Sequence, residues 1–403
     1  MRLALLTREY PPDVYGGAGV HVEYMARELA RSVDVTVHCW GDPRPAVPAG
    51  PTVVAHQAWV ALAGQEPYDA ALRALSIDLT MAAGAAGADL VHSHTWYTNL
   101  GGHLAKLVHG IPHVATVHSL EPMRPWKREQ LGGGYALSSF AEQTALEAAD
   151  AIVAVSAAHL AEILACYPAI DPARASVIYN GIDADEYRPD PGTDVLERHG
   201  IDPARSSVVF VGRITRQKGL AHLLDAAPAI DPQAQLVLCA GAPDTPELAA
   251  EIAERMEEVE AARGGVIWIE EMLPKQDLIQ VISHATVFAC PSVYEPMGIV
   301  NLEAMACEAA VVATAVGGIP EVVEDGVTGL LVPYEARADG TGTPLDPAGL
   351  AADLAARVNE LLADPARAGA MGRAGRARAV ERFGWDVAAV QTLALYEQLL
   401  DVT

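Results

Sequence analysis

The sequence predicts an α/β protein made of two doubly wound parallel sheets. Three observations predict it. Short apolar runs rich in Val, Ile and Ala alternate with helical patterns along the chain. The alternation pauses once, in a polar, proline-rich stretch, and 403 residues suffice for two domains of ordinary size.

The strand candidates come in order. "LALLT", "DVTVHCW", "DLVHSH", "HVATVHS" and "AIVAVS" fall in the first half, and "SVVFVG", "QLVLCAG", "GVIWI", "VFACPS" and "AVVATA" in the second. Runs this short, apolar throughout and bounded by turn residues, suit parallel strands buried on both faces. Helical patterns lie between them. In "TPELAAEIAERMEEVEAARG", Thr245 is placed to N-cap, Pro246 sits at the first helical position, and Leu248, Ile252 and Val259 share one face. The pause spans residues 180–206, so the reading assigns 1–185 to a first domain and 186–380 to a second. Residues 334–349 read as a surface loop, and 381–403 hold an amphipathic helix after a Gly-Trp break.

Composition narrows the function. The formal charge of −25 argues against nucleic acid as a partner, so any phosphate must be met by locally placed cations. The cysteines, Cys39, Cys166, Cys239, Cys290 and Cys307, are scattered without CxxC spacing and read as reduced thiols. "MRLALLTREYPP" turns polar too soon for a signal peptide, and no run approaches the ~18 apolar residues of a membrane span. The expectation is a cytoplasmic protein.

Ligands of open parallel sheets sit at the carboxyl ends of the strands, which makes the cleft between two such sheets the expected site. Each candidate motif follows a strand. In "REYPPDVYGGAGVHVEY", Gly16 and Gly17 let backbone approach a ligand just before a helix start; a plain glycine turn is the alternative. In "FVGRITRQKG", Arg213 and Lys218 supply a planar fork and a point charge suited to a diphosphate, unless they are solvated loop charges.

"YEPMGIVNLE" carries the most chemistry. Pro296 breaks the strand, Gly298 bares the backbone, and Ile299 and Val300 open a helix whose first N–H groups can meet an anion. Glu295 is placed to accept sugar hydroxyls and Glu303 those of a ribose; a solvent-facing helical acid is the plainer reading of Glu303. His92, His94 and His118 stand at strand ends, where hydrogen bonding to a polar ligand suits His118 best and a core role suits His92 equally well. No spacing supports a metal. "EPMRPWKREQLGGGY" gathers Arg124, Lys127 and Arg128 on the first domain.

Together these stretches resemble the retaining glycosyltransferases of the GT-B architecture, in their glycogen synthase-like group. The resemblance runs from "EYPPDVYGGAGVHV" to "NLEAMACEAAVVATAVGGIPEVVEDGVTG", and the order of "GRITRQKG", "PSVYEPMGIVNLEAMA" and "GGIPEVV" is specific. It implies two Rossmann-like domains facing a cleft, with the donor nucleotide on the second and the last helix crossing back to the first. It implies that Arg213 and Lys218 neutralise the leaving diphosphate and that Glu295 and His118 hold the donor sugar. Gly298, Ile299 and Val300 would offer backbone to sugar or phosphate, Glu303 would bind the ribose, and Gly16 and Gly17 would line the cleft opposite. No metal or other cofactor is implied, since Arg, Lys and a helix start supply the positive field.

Within the group, "LTREYPPDVYGGAGVHV", "VHSHTWYTNLGGHLA" and "HSLEPMRPWKREQLGGGY" are most similar to actinobacterial enzymes that use ADP-glucose, many of which make α-maltose 1-phosphate from glucose 1-phosphate. Typical bacterial glycogen synthases have "KTGG" where this chain has Val14-Tyr15-Gly16-Gly17, and "DWH" where it has Thr95-Trp96-Tyr97. Both departures are on the acceptor side. A phosphorylated acceptor would explain Arg124 and Lys127. Direct elongation of an α-1,4-glucan is the alternative within the class. A nicotinamide dehydrogenase lacks support because G-x-G-x-x-G is absent, and a non-enzymatic sugar-binding protein is the third reading. Nucleotide base preference and a homodimer stay open.

Overall fold

The computed structural model describes residues 1–14, 16–45, 50–337 and 342–401. Tyr15 of the glycine motif and residues 338–341 of the expected loop lie outside them. The chain divides into two units, Met1–Gly181 with Trp385–Thr403, and Ile182–Gly384.

The first unit holds seven strands: β1 (Arg2–Leu6), β2 (Asp34–Trp40), β3 (Thr52–His56), β4 (Leu90–His94), β5 (His113–Val117), β6 (Ala151–Ala154) and β7 (Ala175–Val177). They form one parallel sheet in the order β3-β2-β1-β4-β5-β6-β7. The second unit holds β8 (Ser207–Arg213), β9 (Gln235–Gly241), β10 (Val266–Ile269), β11 (Val287–Cys290), β12 (Ala310–Thr314) and β13 (Gly329–Val332). Their parallel order is β10-β9-β8-β11-β12-β13. In each sheet the chain starts in the middle, builds to one edge, then returns and builds to the other. The reversal falls between β1 and β4 and between β8 and β11, and such a switch point opens a crevice at the strands' carboxyl ends.

Central strands are buried along their whole length, as with β4, β5, β9 and β12. Three strands escaped the sequence reading: β3, β7 and β13. All three are sheet edges. An edge strand has a neighbour on one side only, so it needs no continuous apolar run; β3 alternates in exposure and β7 is half-buried throughout.

The helix Pro246–Ala262 matches its sequence signature. The Thr245 side chain accepts from Leu248 N–H, and Leu248, Ile252, Met256 and Val259 are its buried face. The last helix, Trp385–Asp401, belongs to the first unit. There Trp385 stacks on Tyr24 with ring centroids 5.5 Å apart, and Tyr396 is fully buried in the same cluster as Leu3, Leu5 and Val37. An aromatic contact of this kind contributes about 0.5–1.5 kcal/mol beyond its burial. All five cysteines are free thiols. Among the described residues no helix is long and apolar enough to cross a membrane.

Candidate functional site

In the second unit the switch point gathers the charged residues of two motifs. β8 ends at Arg213, whose guanidinium pairs with Asp244 at 3.2 Å. The short 3-10 turn Arg216–Lys218 follows, held by the Thr215 hydroxyl, which accepts from the Lys218 N–H. From β11, on the other side of the reversal, the chain reaches Glu295. Lys218 Nζ lies 2.7 Å from Glu295 Oε2, and the Ser292 hydroxyl donates to the same oxygen at 3.3 Å. Burial, the largest influence, would lower the Lys218 pKa, but Glu295 and the neighbouring Cys290 together outweigh it and the net shift is upward. The ammonium stays charged.

The strand before this stretch ends at Cys290, so the break precedes Pro296 by a loop. That loop is folded back by Gly318 N–H, which donates to the Glu295 carbonyl at 3.0 Å. Gly317, at φ +50°, passes so close that a Cβ there would lie 2.0 Å from the Glu295 carbonyl oxygen. Gly298 caps the helix Ile299–Ala306 from the left-handed region, at φ 93°. This conformation suits glycine and lets the helix begin abruptly at Ile299. Ile299 and Val300 are half-buried at that start, where N–H groups have no intrahelical acceptor.

Glu303 sits one turn into this helix and does not face solvent. It is 9% exposed and accepts from the Tyr187 hydroxyl at 3.1 Å. Burial raises its pKa, against the opposing pull of Tyr187 and Lys218. Tyr187 went unrecognised because it lies inside the polar stretch read as a domain boundary. An aromatic residue in such a stretch was the available signal.

The first unit carries the remaining candidates. Gly16 N-caps the helix Gly17–Leu29, and its N–H donates to Glu9 Oε2 at 2.9 Å. A carboxylate therefore already sits where the helix dipole favours negative charge. Gly17 is exposed beside it. Thr95 ends the turn after β4 at φ 67°, the left-handed region, and N-caps the helix Trp96–His109. Strain of this kind in a non-glycine residue costs on the order of 1–3 kcal/mol and gathers at functional sites.

Trp96 is a core residue, 2% exposed among Ala71, Ala74 and Leu131. Tyr97 is the accessible ring of the pair, 4.1 Å from Trp96 by centroid, with the Arg8 guanidinium 4.3 Å from its own. Arg124 bonds the Ser119 hydroxyl at 2.7 Å and lies 3.7 Å from the buried Glu121. Lys127 is buried and its ammonium bonds Gln130. The basic cluster is thus partly answered by its own neighbours.

His118, just past β5, joins His94 and His21. Its Nε2 is 3.1 Å from His94 Nδ1. His92 is a core residue, with Nδ1 2.5 Å from the Tyr396 hydroxyl and Nε2 2.7 Å from the Thr116 hydroxyl. Burial first, then neighbouring imidazoles, holds the pKa of His92, His94 and His118 well below the usual value.

The comparisons agree with this architecture. Residues 15–186 match the model described as Glycosyltransferase Family 4, and residues 205–364 the one described as Glycosyl transferases group 1. The α-maltose-1-phosphate synthase of Mycolicibacterium smegmatis is 54% identical over 99% of this chain and 100% of its own length. That of Mycobacterium tuberculosis is 52% identical over the same shares. Among solved structures, a sucrose-phosphate synthase from Thermosynechococcus elongatus superposes with a TM-score of 0.81 at 26% identity, over 100% of both chains. The chain therefore belongs to the GT-B glycosyltransferases of this family and is a glycosyltransferase enzyme.

Proposed function

We propose that the chain is a retaining α-1,4-glucosyltransferase that moves glucose from ADP-glucose to glucose 1-phosphate, giving α-maltose 1-phosphate and ADP. The observation that carries this reading is end-to-end similarity to two enzymes named α-maltose-1-phosphate synthase. The acceptor-side departures from glycogen synthases, at Val14 and at Thr95-Trp96-Tyr97, support a small phosphorylated acceptor.

In this reading Arg213 and Lys218 take the diphosphate as the bond from glucose C1 to its oxygen breaks. Preorganised cations there stabilise charge as it develops, the role a metal ion fills in other transferases. The acceptor hydroxyl bonds to C1 on the face the diphosphate leaves, and its proton passes to the departing phosphate oxygen. No opposed carboxylate pair is needed. Glu295 and His118 hold the sugar, Glu303 the ribose, and Gly298, Ile299 and Val300 supply backbone. Gly16 and Gly17 contribute from the first unit, as do Thr95, Tyr97, Arg124 and Lys127 for the acceptor, with Trp96 supporting Tyr97.

The test is an acceptor comparison with ADP-glucose as donor, following ADP release and product mass. Glucose 1-phosphate should sustain turnover and yield a disaccharide phosphate. Turnover with glycogen alone overturns the reading.

A further inference from the structure

Three histidines remote in sequence meet in the first unit. His21 comes from the helix Gly17–Leu29, His94 from the end of β4, and His118 from just beyond β5. Each brings one ring nitrogen to within 4.8 Å of the others'. The spacing along the chain gives no hint of this, because each residue arrives on a different element.

Hydrogen bonding sorts the nitrogens. His21 Nδ1 is 2.7 Å from Asn180 Oδ1, an acceptor, so the ring proton sits on Nδ1 and Nε2 carries the lone pair. That Nε2 is buried with no hydrogen-bond partner. Buried polar atoms are normally satisfied, and an orphaned ring nitrogen facing two further imidazoles asks for an explanation. His94 Nδ1 and His118 Nε2 are 3.1 Å apart. Two nitrogens each ~2.0–2.1 Å from one tetrahedral zinc-like ion stand about 3.3 Å apart. The Asn180 contact has the form of the outer hydrogen bond that orients a metal-bound imidazole.

We propose that His21, His94 and His118 bind a divalent transition metal of the zinc class through their imidazole nitrogens, with Asn180 orienting His21. Three neutral nitrogen donors select Zn, Cu, Ni or Co over Mg or Ca. The proton between His94 and His118 shifts to an outward ring nitrogen as the ion arrives, a change of tautomer rather than of charge. An ion held here occupies His118 and so inhibits transfer. That consequence rests on the sugar-binding role proposed for His118; the binding itself does not.

Cobalt(II) is the probe, titrated into the purified full chain after chelator treatment. One equivalent should bind, with the visible ligand-field bands of a nitrogen-bound, low-coordinate ion, and zinc should displace it. His118→Ala, at the least buried of the three positions, should weaken binding at least ten-fold. Asn180→Leu, which keeps all three ligands, should weaken it by about 10–100-fold. Circular dichroism melts establish that each variant is folded, and His94→Gln replaces any that is not. Absence of saturable binding by the wild type, or full affinity in folded His118→Ala, overturns the site. Saturable binding with undiminished ADP release leaves the site standing and removes His118 from the transfer step.

Discussion

Lys218 and Glu295 are each other's ion-pair partners, 2.7 Å apart at the switch point of the second sheet. The cation proposed for the leaving diphosphate and the carboxylate proposed for the sugar are therefore coupled before any donor binds. Glu295 is 7% exposed, so its charge depends on Lys218 and the Ser292 hydroxyl for compensation. A diphosphate that draws on Lys218 also changes the partner that Glu295 sees.

Lys218→Ala should lower kcat by roughly 10²–10³-fold, the range for removing one preorganised donor to developing charge. It should also lower the melting temperature, because Glu295 loses its counter-charge. The double variant Lys218→Ala/Glu295→Ala should regain stability but not turnover. Thermal melts and ADP release read the two effects separately. Near-normal turnover in Lys218→Ala removes that residue from the mechanism.

Gly317→Ala forces a Cβ onto the Glu295 carbonyl from a positive-φ position. The expected cost is about 1–3 kcal/mol of stability, with a loss of kcat as Glu295 moves. Gly264, whose added Cβ meets nothing within 4 Å, serves as the control in the same unit. Gly264→Ala should match the wild type in both denaturant midpoint and rate.

Glu303→Gln should raise KM for ADP-glucose by about ten-fold, one bidentate contact's worth, with kcat changed far less. Tyr187→Phe removes only the hydroxyl that orients this carboxylate, so the same parameter should shift in the same direction by a smaller factor. Steady-state kinetics with varied donor tests both. An effect confined to kcat would show that Glu303 acts on the transferred sugar instead.

Glu142 offers a pH signature in the first unit. Its carboxyl accepts from the Tyr167 hydroxyl at 2.5 Å and from the Glu121 N–H at 2.9 Å. Burial, then the nearby Glu121 charge, raises its pKa above the ordinary 4.5. The folded protein thus keeps a proton that the unfolded chain releases. The stability this contributes is complete below the unfolded value and is lost as pH rises through the folded one. Glu142→Gln keeps the acceptor and carries no charge. Its melting temperature should gain on the wild type from about pH 5 to about pH 8 and level off above that; a constant difference across that window would falsify the assignment.

Much of this was legible in the chain, and the physical reasons divide cleanly. Central strands must be apolar on both faces, so "SVVFVG" and "AVVATA" announce themselves, whereas the part-exposed edges β3 and β7 do not. The placement of Arg213, Lys218, Glu295 and Gly298 at or beyond strand ends was readable, because each stands at the close of an apolar run or after one. What joins them was not. The Lys218–Glu295 contact depends on which strands are neighbours, and Tyr187 reaches Glu303 from a stretch whose composition reads as linker. Residue type alone does not report exposure: Trp96, read with Thr95 and Tyr97 on the acceptor side, is core, and Lys127 is buried with its ammonium on Gln130.

The last helix sets an order of events during synthesis. Trp385 and Tyr396 complete a cluster with Tyr24 and β1, yet the ribosome makes them only after every residue of the second unit. The unit that is begun first is therefore finished last, while the second is a contiguous segment able to fold as soon as it emerges. Until Tyr396 arrives, His92 Nδ1 has lost its hydroxyl partner and the Tyr24 face is bare. A released chain that ends before Trp385 should thus carry a mature second unit and a first unit that chaperones still recognise.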